Sequence, residues 1–442
     1  MPRMPRLNAP ARLATLNLLL ALMLAGPAHG DERRLSLISA DNPALGTKVK
    51  YSMNIAGRVM TPSPAGVQKF DLTSKGQFQF QQQRVNAKEA GPGFVAGQRQ
   101  FLSAGTETVV GEGHRTAVSL SPRRRQIRLY GSSNQLQSYC AESPLTRNEL
   151  DLIQMPFDPL AVRAVLPVTK VAVGEKWNTD SWVMPMLTGI ETAIDQTATC
   201  TLKSADEATA VVQFSGSIKG AVRGSAASVT YSGELTLDRS TGLIKSFKGQ
   251  QKEKRTAGPV SPGLDITANI SWQQAPDAAY RPAVVGNVVA SPAESQLQFE
   301  TTQGLILRHS REWHLFHQTG SVTMLRQLRN GELISQCNIT THITVPPKQH
   351  TPDREFLNDV TAAIQKRRGE VIDEKTIRDD DQWRIRRIRT SGKTDEDVIL
   401  WDHYLCSAAS GKQFTILFSH SQSDNDQFAS EADDLLATLQ LR

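Results

Sequence analysis

Cysteine is scarce in this chain. Four residues, Cys140, Cys200, Cys337 and Cys406, are spread through 442, and no two are close. That spacing excludes a Cys-x-x-Cys pair for zinc or thioredoxin-like redox work. Also missing are HExxH, any Cys/His quartet and the GxSxG elbow of a serine hydrolase. Aromatic residues make up 6 % and charged residues 21 %. Past the N-terminus no apolar run reaches the ~18–20 residues that span a bilayer, so an integral membrane protein is not expected. What is present is apolar material for sizeable cores: 39 % hydrophobic residues and 30 glycines. This composition argues against wholesale disorder, and the length fits two or three domains.

Residues 1–30 read as a secretory signal. Arg3, Arg6 and Arg12 form a basic leader, Leu13 to Gly26 is an apolar run, and Ala28-His29-Gly30 offers small residues at a cleavage site before Asp31. Loss of those three arginines lowers the formal charge from +6 to +3. The remainder is mildly split, +6 over residues 31–294 and −3 over 295–442. Nucleic acid is not an expected partner, because such a footprint is far more basic. Export permits disulfides. Two cysteines fall in each half, which favours Cys140–Cys200 and Cys337–Cys406 among the three connectivities; four buried free thiols are the alternative.

Ala275 to Ser295, with Pro276, Pro282 and Pro292, has few charges and no period, and is the expected linker. Residues 31–274 before it read as a β-rich domain. Val49, Tyr51, Met53 and Ile55 alternate with polar residues, as do Phe78 and Phe80 among glutamines. The same period marks 126–130, 210–218, 229–237 and 243–249, a sheet with one wet face. Asp238 to Gly242 is a turn, its glycine free to adopt positive φ. Arg147 to Val165 interrupts the strands as two short helices around Pro156 and Pro159. Val173 to Trp177 then leads into another strand. This long sheet crossed by short helices resembles, at fold level, the half-barrels of lipoprotein-carrier and lipid-handling envelope proteins; a sandwich is the alternative.

Residues 296–442 alternate strands (297–299, 305–308, 313–316, 322–328, 333–345, 371–377, 383–390, 398–406, 413–419) with two amphipathic helices. The first spans Asp353 to Arg368, with Phe356, Val360 and Ile364 in its stripe, Thr351 or Asp353 as cap, and Gly369 at its end. The second spans Asp426 to Leu441. The run Leu307-Arg308-His309-Ser310-Arg311-Glu312-Trp313 resembles the opening of PsbP-like domains, a strand, a basic turn and a Trp. The order of elements after it is also similar. The resemblance implies an α/β/α sandwich with an antiparallel sheet, in a family that mostly binds partners. The fold class expected is therefore α+β.

Seven of nine histidines lie after residue 308. His309 and His317 would share a strand face with His314 opposite, but no metal motif frames them. Asp402 and His403 are neighbours in a strand and point to opposite faces. Ser391-Gly392-Lys393-Thr394 lacks the earlier glycine a phosphate-binding loop needs, and reads as a hairpin turn. Gly91-Pro92-Gly93 precedes no helix, so it is no dinucleotide fingerprint. Arg123, Arg124, Arg125 and Arg128 form one basic run. Arg384, Arg386, Arg387 and Arg389 form a second, a candidate anion patch whose alternative is a solvated face paired with carboxylates.

The expectation is an exported, non-enzymatic, two-domain binding protein of a bacterial-type envelope, periplasmic or extracellular, with no cofactor or metal. The β-rich domain would hold an apolar or amphipathic ligand, with Phe78, Phe80, Trp177 and Trp182 as candidate lining. The C-terminal domain would dock a protein partner. The competing readings are a secreted hydrolase using His314, His317 and His403, and a purely structural interaction protein.

Overall fold

The computed structural model describes residues 35–36, 45–85, 94–132, 135–282, 289–393 and 397–442. The expected signal segment, Gly91–Gly93, Thr394 and the middle of the expected linker (283–288) lie outside the described residues.

A first antiparallel sheet holds twelve strands. These are β1 (Thr47–Ser63), β2 (Gly66–Arg84), β3 (Val95–Val110), β4 (His114–Ser119), β5 (Gln126–Ser132), β6 (Gln135–Tyr139), β7 (Lys176–Trp177), β8 (Thr192–Ala205), β9 (Thr209–Val222), β10 (Ser225–Asp238), β11 (Ile244–Arg255) and β12 (Gly263–Pro276). Their spatial order is β6-β5-β3-β2-β1-β12-β11-β10-β9-β8-β7, with β4 also paired to β3. Alternation drives one face inward: Val49, Tyr51, Phe78 and Phe80 are at most 1 % exposed, while Gln77, Gln79 and Lys50 face out.

Residues 140–190 lie against the inward face. They carry α1 (Arg147–Ile153), a 3-10 turn at Val162–Val165 and α2 (Val183–Thr188). α1 begins with a capping box in which the Thr146 hydroxyl accepts from the Glu149 N–H, while the Glu149 carboxylate accepts from the Thr146 N–H. Helix α2 contacts both β6 and β8. Laid flat, those strands would stand roughly 43 Å apart at about 4.8 Å per strand step. A six-residue helix is only about 9 Å long. The sheet is therefore curled around segment 140–190, which plugs it. Leu150, Ile153, Phe157, Leu160, Val162 and Leu187 of the plug join the same core as the sheet's aromatics.

Phe157 marks the centre of the plug. It is fully buried, and its rings lie 5.6, 6.3 and 5.1 Å from those of Phe214, Tyr231 and Phe247. Its φ of 51° is a left-handed conformation that costs a non-glycine residue about 1 kcal/mol or more. The surroundings hold it there. Its N–H donates to Leu187 O at 2.8 Å, and its carbonyl accepts from Trp272 Nε1 at 3.1 Å. The preceding Pro156 carbonyl accepts from the Tyr51 hydroxyl at 2.8 Å. The following Asp158 receives both terminal nitrogens of Arg99 at 3.0 and 2.9 Å. That pair is almost wholly buried, and the Arg99 guanidinium also lies 4.2 Å over the Phe80 ring and donates to Gln82 at 2.9 Å.

Two further sheets follow a one-turn helix, α3 (Pro292–Ser295). β13 (Leu297–Glu300), β14 (Leu305–His309) and the terminal β22 (Gln440–Leu441) make the smaller one. The larger has seven antiparallel strands: β15 (Trp313–Gln318), β16 (Val322–Arg329), β17 (Glu332–Thr341), β18 (Glu370–Asp379), β19 (Trp383–Lys393), β20 (Val398–Ala408) and β21 (Gln413–Ser421). Their order is β15-β16-β17-β21-β20-β19-β18. Helix α5 (Asn425–Ala437) brings Phe428, Leu435 and Leu436 onto one face of it, against Trp313, Tyr404 and Phe418. Helix α4 (Asp353–Gln365) lays Phe356, Val360 and Ile364 on the other, where Ile388 and Leu405 point.

Several sequence expectations are corrected in detail. Strand β12 runs to Pro276 and α3 starts at Pro292, so both ends of the expected linker are structured. Pro352 occupies the N-cap of α4 with no side-chain cap, and the Thr351 hydroxyl instead accepts from Gln413 Nε2 at 3.0 Å. Arg368, not Gly369, takes the left-handed position after that helix. Ser391 to Lys393 are the last residues of β19 rather than a turn.

Removing one partner from a buried ion pair strands the other charge in the core. Asp158→Ala is expected to lower unfolding stability by about 3–5 kcal/mol in urea titration, whereas the apolar double replacement Arg99→Met/Asp158→Leu recovers most of that loss. Equal losses in both variants would show that the pair is not what fixes the plug.

Candidate functional site

The four expected lining residues serve different places. Phe78 packs edge-on against Tyr51 at 5.5 Å, and Phe80 lies 5.2 Å from Phe101; both are closed into the core. Trp177, half-buried, donates Nε1 to Val165 O at 2.9 Å and so ties β7 to the plug. Trp182 is the half-buried N-cap of α2. None of them lines either open pocket described below. The plug's own side chains occupy the space these aromatics face.

Beyond the plug the inward face stays apolar. Val59 stands opposite Phe70 and Leu264, Gly57 opposite Leu72 and Ile266, and Leu72 opposite Val110. These side chains continue the buried row Tyr51–Phe78 along the same face. They are only half-buried here, and Phe70 is 39 % exposed. Polar groups border them on that face. Glu253 accepts from Arg255 Nε at 2.7 Å, and Ser74 and Thr108 hydroxyls meet at 2.8 Å. This is an open mouth with an apolar floor and a hydrogen-bonding margin. Sequence reading stopped the first strand at Ile55 and so missed it; Val59, Phe70 and Leu72 carried the signal.

Two concavities lie elsewhere on the first sheet. A small pocket of about 60 Å³ sits among Thr47, Gln82, Arg163, Gly242 and Gln274. Its polar atoms are tied together: Gln82 Nε2 donates to Gln274 Oε1 at 3.3 Å, and Arg163 donates to Gly242 O at 2.8 Å. A trough of about 480 Å³ crosses the outward face between β2 and β10.

The outward face also speaks to lipid. A membrane barrel turns an apolar band outward. Here Lys50, Ser52, Gln77, Lys248 and Ser271 occupy outward positions. No helix among the described residues is long and apolar enough to cross a membrane.

The arginine row of β19 is not an open anion patch. Arg384 pairs with Asp379 at 2.9 Å and Asp353 at 3.0 Å, Arg386 with Glu374 at 2.8 Å, Arg387 with Asp373 at 2.8 Å, and Arg389 with Asp402 at 2.7 Å. These pairs zip the exposed edge strand β18 and helix α4 onto the sheet. In the other basic run, Arg124 binds Glu149 at 2.8 Å and Arg128 faces Glu294 at 3.8 Å.

The cysteines are four buried free thiols, which corrects the expected pairing. Cys337 on β17 and Cys406 on β20 have β21 between them. Two strand steps are about 9.6 Å, beyond the ~7 Å Cα reach of a disulfide. Cys140, which follows β6, and Cys200 on β8 are likewise buried and free. Burial pushes the Cys200 thiol up to about 12.

The histidines are dispersed. His314 on β15 and His403 on β20 are four strand steps apart, roughly 19 Å, and His317 is exposed. Among the described residues no cluster of three His, Cys, Asp or Glu side chains could hold a metal. Asp402 and His403 point to opposite faces, toward Arg389 and Thr390 respectively.

The run Leu307 to Trp313 helps build the joint between the two large sheets. Arg311 donates to Ser295 O at 2.9 Å and to Ser138 O at 2.7 Å, while Arg147 of α1 reaches the carbonyls of Arg311 and, at 2.9 Å, Trp313. Arg326 lies 3.5 Å over the Phe316 ring and donates to Pro259 O at 2.5 Å. Two tight hairpins also meet there, Arg223-Gly224 between β9 and β10 and Asn330-Gly331 between β16 and β17, all four at positive φ. A Cβ on Gly224 would fall 2.1 Å from Gly331 O, so the close approach needs the glycine.

No protein-family model and no curated protein matches the chain. Solved structures give distant likenesses. One is a Bacteroides thetaiotaomicron VPI-5482 protein (TM-score 0.24, 11 % identity, 33 % of this chain and 48 % of that one). Lipovitellin, in a structure titled for lipid–protein interactions, gives TM-score 0.31 and 9 % identity over 56 % of this chain and 26 % of its own. The Pseudomonas aeruginosa protein OccK5 gives TM-score 0.13 at 7 % identity over 85 % and 96 %. The chain spans less than half the length of the first two.

Burial pushes His309 down to about 4. It also pushes His314 down to about 3, reinforced by the charges of Arg147 and Arg223, and His403 down to about 4. An unfolded histidine titrates near 6.5. Between those values the unfolded chain binds more protons, so stability present above about pH 6.5 is lost as pH falls toward about 4. Denaturant titrations across that window are expected to show this slope, and the triple His→Asn variant to flatten it. A second expectation concerns the thiols: denatured without reductant, the protein should take up four equivalents of a maleimide, and fewer would reinstate a disulfide.

Proposed function

We propose that this is an exported, non-enzymatic binding protein whose curled sheet receives an apolar or amphipathic ligand at the open mouth. The observation that carries the reading is the inward row Val59, Phe70, Leu72, Val110, Leu264 and Ile266, which stays apolar after the plug has ended. Half-exposed apolar side chains gain only part of their burial energy, so a contiguous row of them beyond the core fits a surface kept for an apolar ligand. The bordering Glu253–Arg255 pair and the Ser74 and Thr108 hydroxyls suit a ligand with one polar end. The plug itself belongs to the binding protein's scaffold, since lifting it would expose a dozen or so core side chains at about 1.5–3 kcal/mol each.

The second large sheet serves to dock a partner protein, in keeping with the resemblance to PsbP-like domains. Leu315 and Phe316 on the edge strand β15 and Leu333 on β17, two strands in, are 38, 45 and 47 % exposed.

The mouth is tested with N-phenyl-1-naphthylamine, whose fluorescence rises on entering an apolar site. The protein is expected to enhance it saturably, and Val59→Ser/Phe70→Ser to weaken binding at least about tenfold, ~1.4 kcal/mol, with unchanged circular dichroism. Absence of saturable enhancement, or equal binding by the variant, would sink the reading.

A further inference from the structure

The outward trough is independent of that mouth, on the opposite face of the same sheet. Its form follows from two glycines on the inward side. Gly233 and Gly249 stand opposite each other on β10 and β11. The Phe247 ring lies flat against both: a Cβ on either would fall 2.6 or 2.5 Å from it. Phe214 stacks parallel to Phe247 at 6.0 Å. The backbone can settle onto these rings only where no side chain intervenes, so the outer surface behind is hollowed.

What lines the hollow is set by register. Across five strands one row reads Glu234, Lys248, Ser271, Ser52, Gln77. The next row reads Thr236, Ser246, Gln273, Lys50. Glu234 is the one carboxylate among the lining residues, and its charge is already met by Lys203 at 3.0 Å and the Gln213 amide at 3.0 Å. Lys50, together with Lys248, which stands opposite Glu234 and shares its charge with Lys203, supplies the positive charge facing the trough, set among neutral hydroxyls and amides.

We infer that this trough binds an acidic polysaccharide chain. Three observations select that class. The two ammonium-bearing residues are two strands and two residues apart in register, about 12 Å. That spacing lets each ammonium meet its own carboxylate along an extended polymer. The groups between them are hydroxyls and amides, which pair with a polyhydroxylated chain and offer nothing to an acyl chain. The site is concave and about 480 Å³, so an extended chain lies along it whereas a flat membrane surface bridges over it.

The test uses polygalacturonate, neutral dextran and phosphatidylglycerol vesicles, with binding followed by calorimetry and co-sedimentation. Polygalacturonate is expected to bind and dextran not to. In Lys50→Gln/Lys248→Gln, affinity for the polymer should fall about tenfold, with naphthylamine uptake at the mouth unchanged. That last readout separates this site from the proposed apolar one, which stands or falls by its own titration. Polymer binding undiminished in the double variant overturns the assignment, as does absence of polymer binding or a preference for the vesicles.

Discussion

The buried pair of Arg99 and Asp158 is the constraint on which the first sheet's shape depends. A curled sheet needs something to curl around, and here that is residues 140–190, mostly short helices and turns. Hydrophobic burial alone would hold such a segment loosely, because it is not directional. The bidentate pair is directional, and it fixes one residue next to Phe157, whose left-handed backbone would otherwise relax. Tyr51 and Trp272 then bind the two carbonyls just before that carboxylate. Burial pushes the Tyr51 hydroxyl well up, which keeps it a donor. Against a hydrophobic substitute such a pair gives little net stability; its contribution is a single arrangement of plug and sheet.

Arginine recurs in this inward role. Arg147, Arg311 and Arg326 join the two large sheets by donating to backbone carbonyls, and Arg384 to Arg389 fasten an edge strand. A guanidinium suits this work because it stays charged when partly buried and presents several donors in one plane. The consequence is that basic runs in the sequence are poor guides to ligand sites in this chain. The lysines, left outside, are the better guide.

The elements legible beforehand were those with a clean period. The alternation of Val49 to Ile55, the stripe Phe356, Val360, Ile364 and the turn ending at Gly242 each find their expected place. Strand β3 was hidden because Gln98 and Arg99 are polar yet buried, a choice made by the plug and not by the strand. The first half of β8, Thr192 to Thr199, has no core to face and so no period. The aromatic candidates were chosen for residue type, which says that a side chain will be buried but not what will cover it. Phe78 and Phe80 are covered by the chain itself. The half-exposed Val59 and Phe70 lie farther out on the same hairpin, where register, and not local sequence, places them on the inner face.

Register also links the two proposed surfaces. In a sheet the residues of one strand alternate between faces, so the pattern that makes a mouth on one side writes the opposite wall as well. Gly233 and Gly249 admit the Phe214 and Phe247 rings that fill the interior, and their neighbours Glu234 and Lys248 are thereby set at the bottom of the outer hollow. Filling the curled sheet and shaping the trough are one event. A larger residue at Gly249 would push the Phe247 ring away, loosen Phe157 beside it and flatten the outer surface together. The inner core and the outer trough therefore cannot vary independently, although the ligands proposed for mouth and trough share no chemistry.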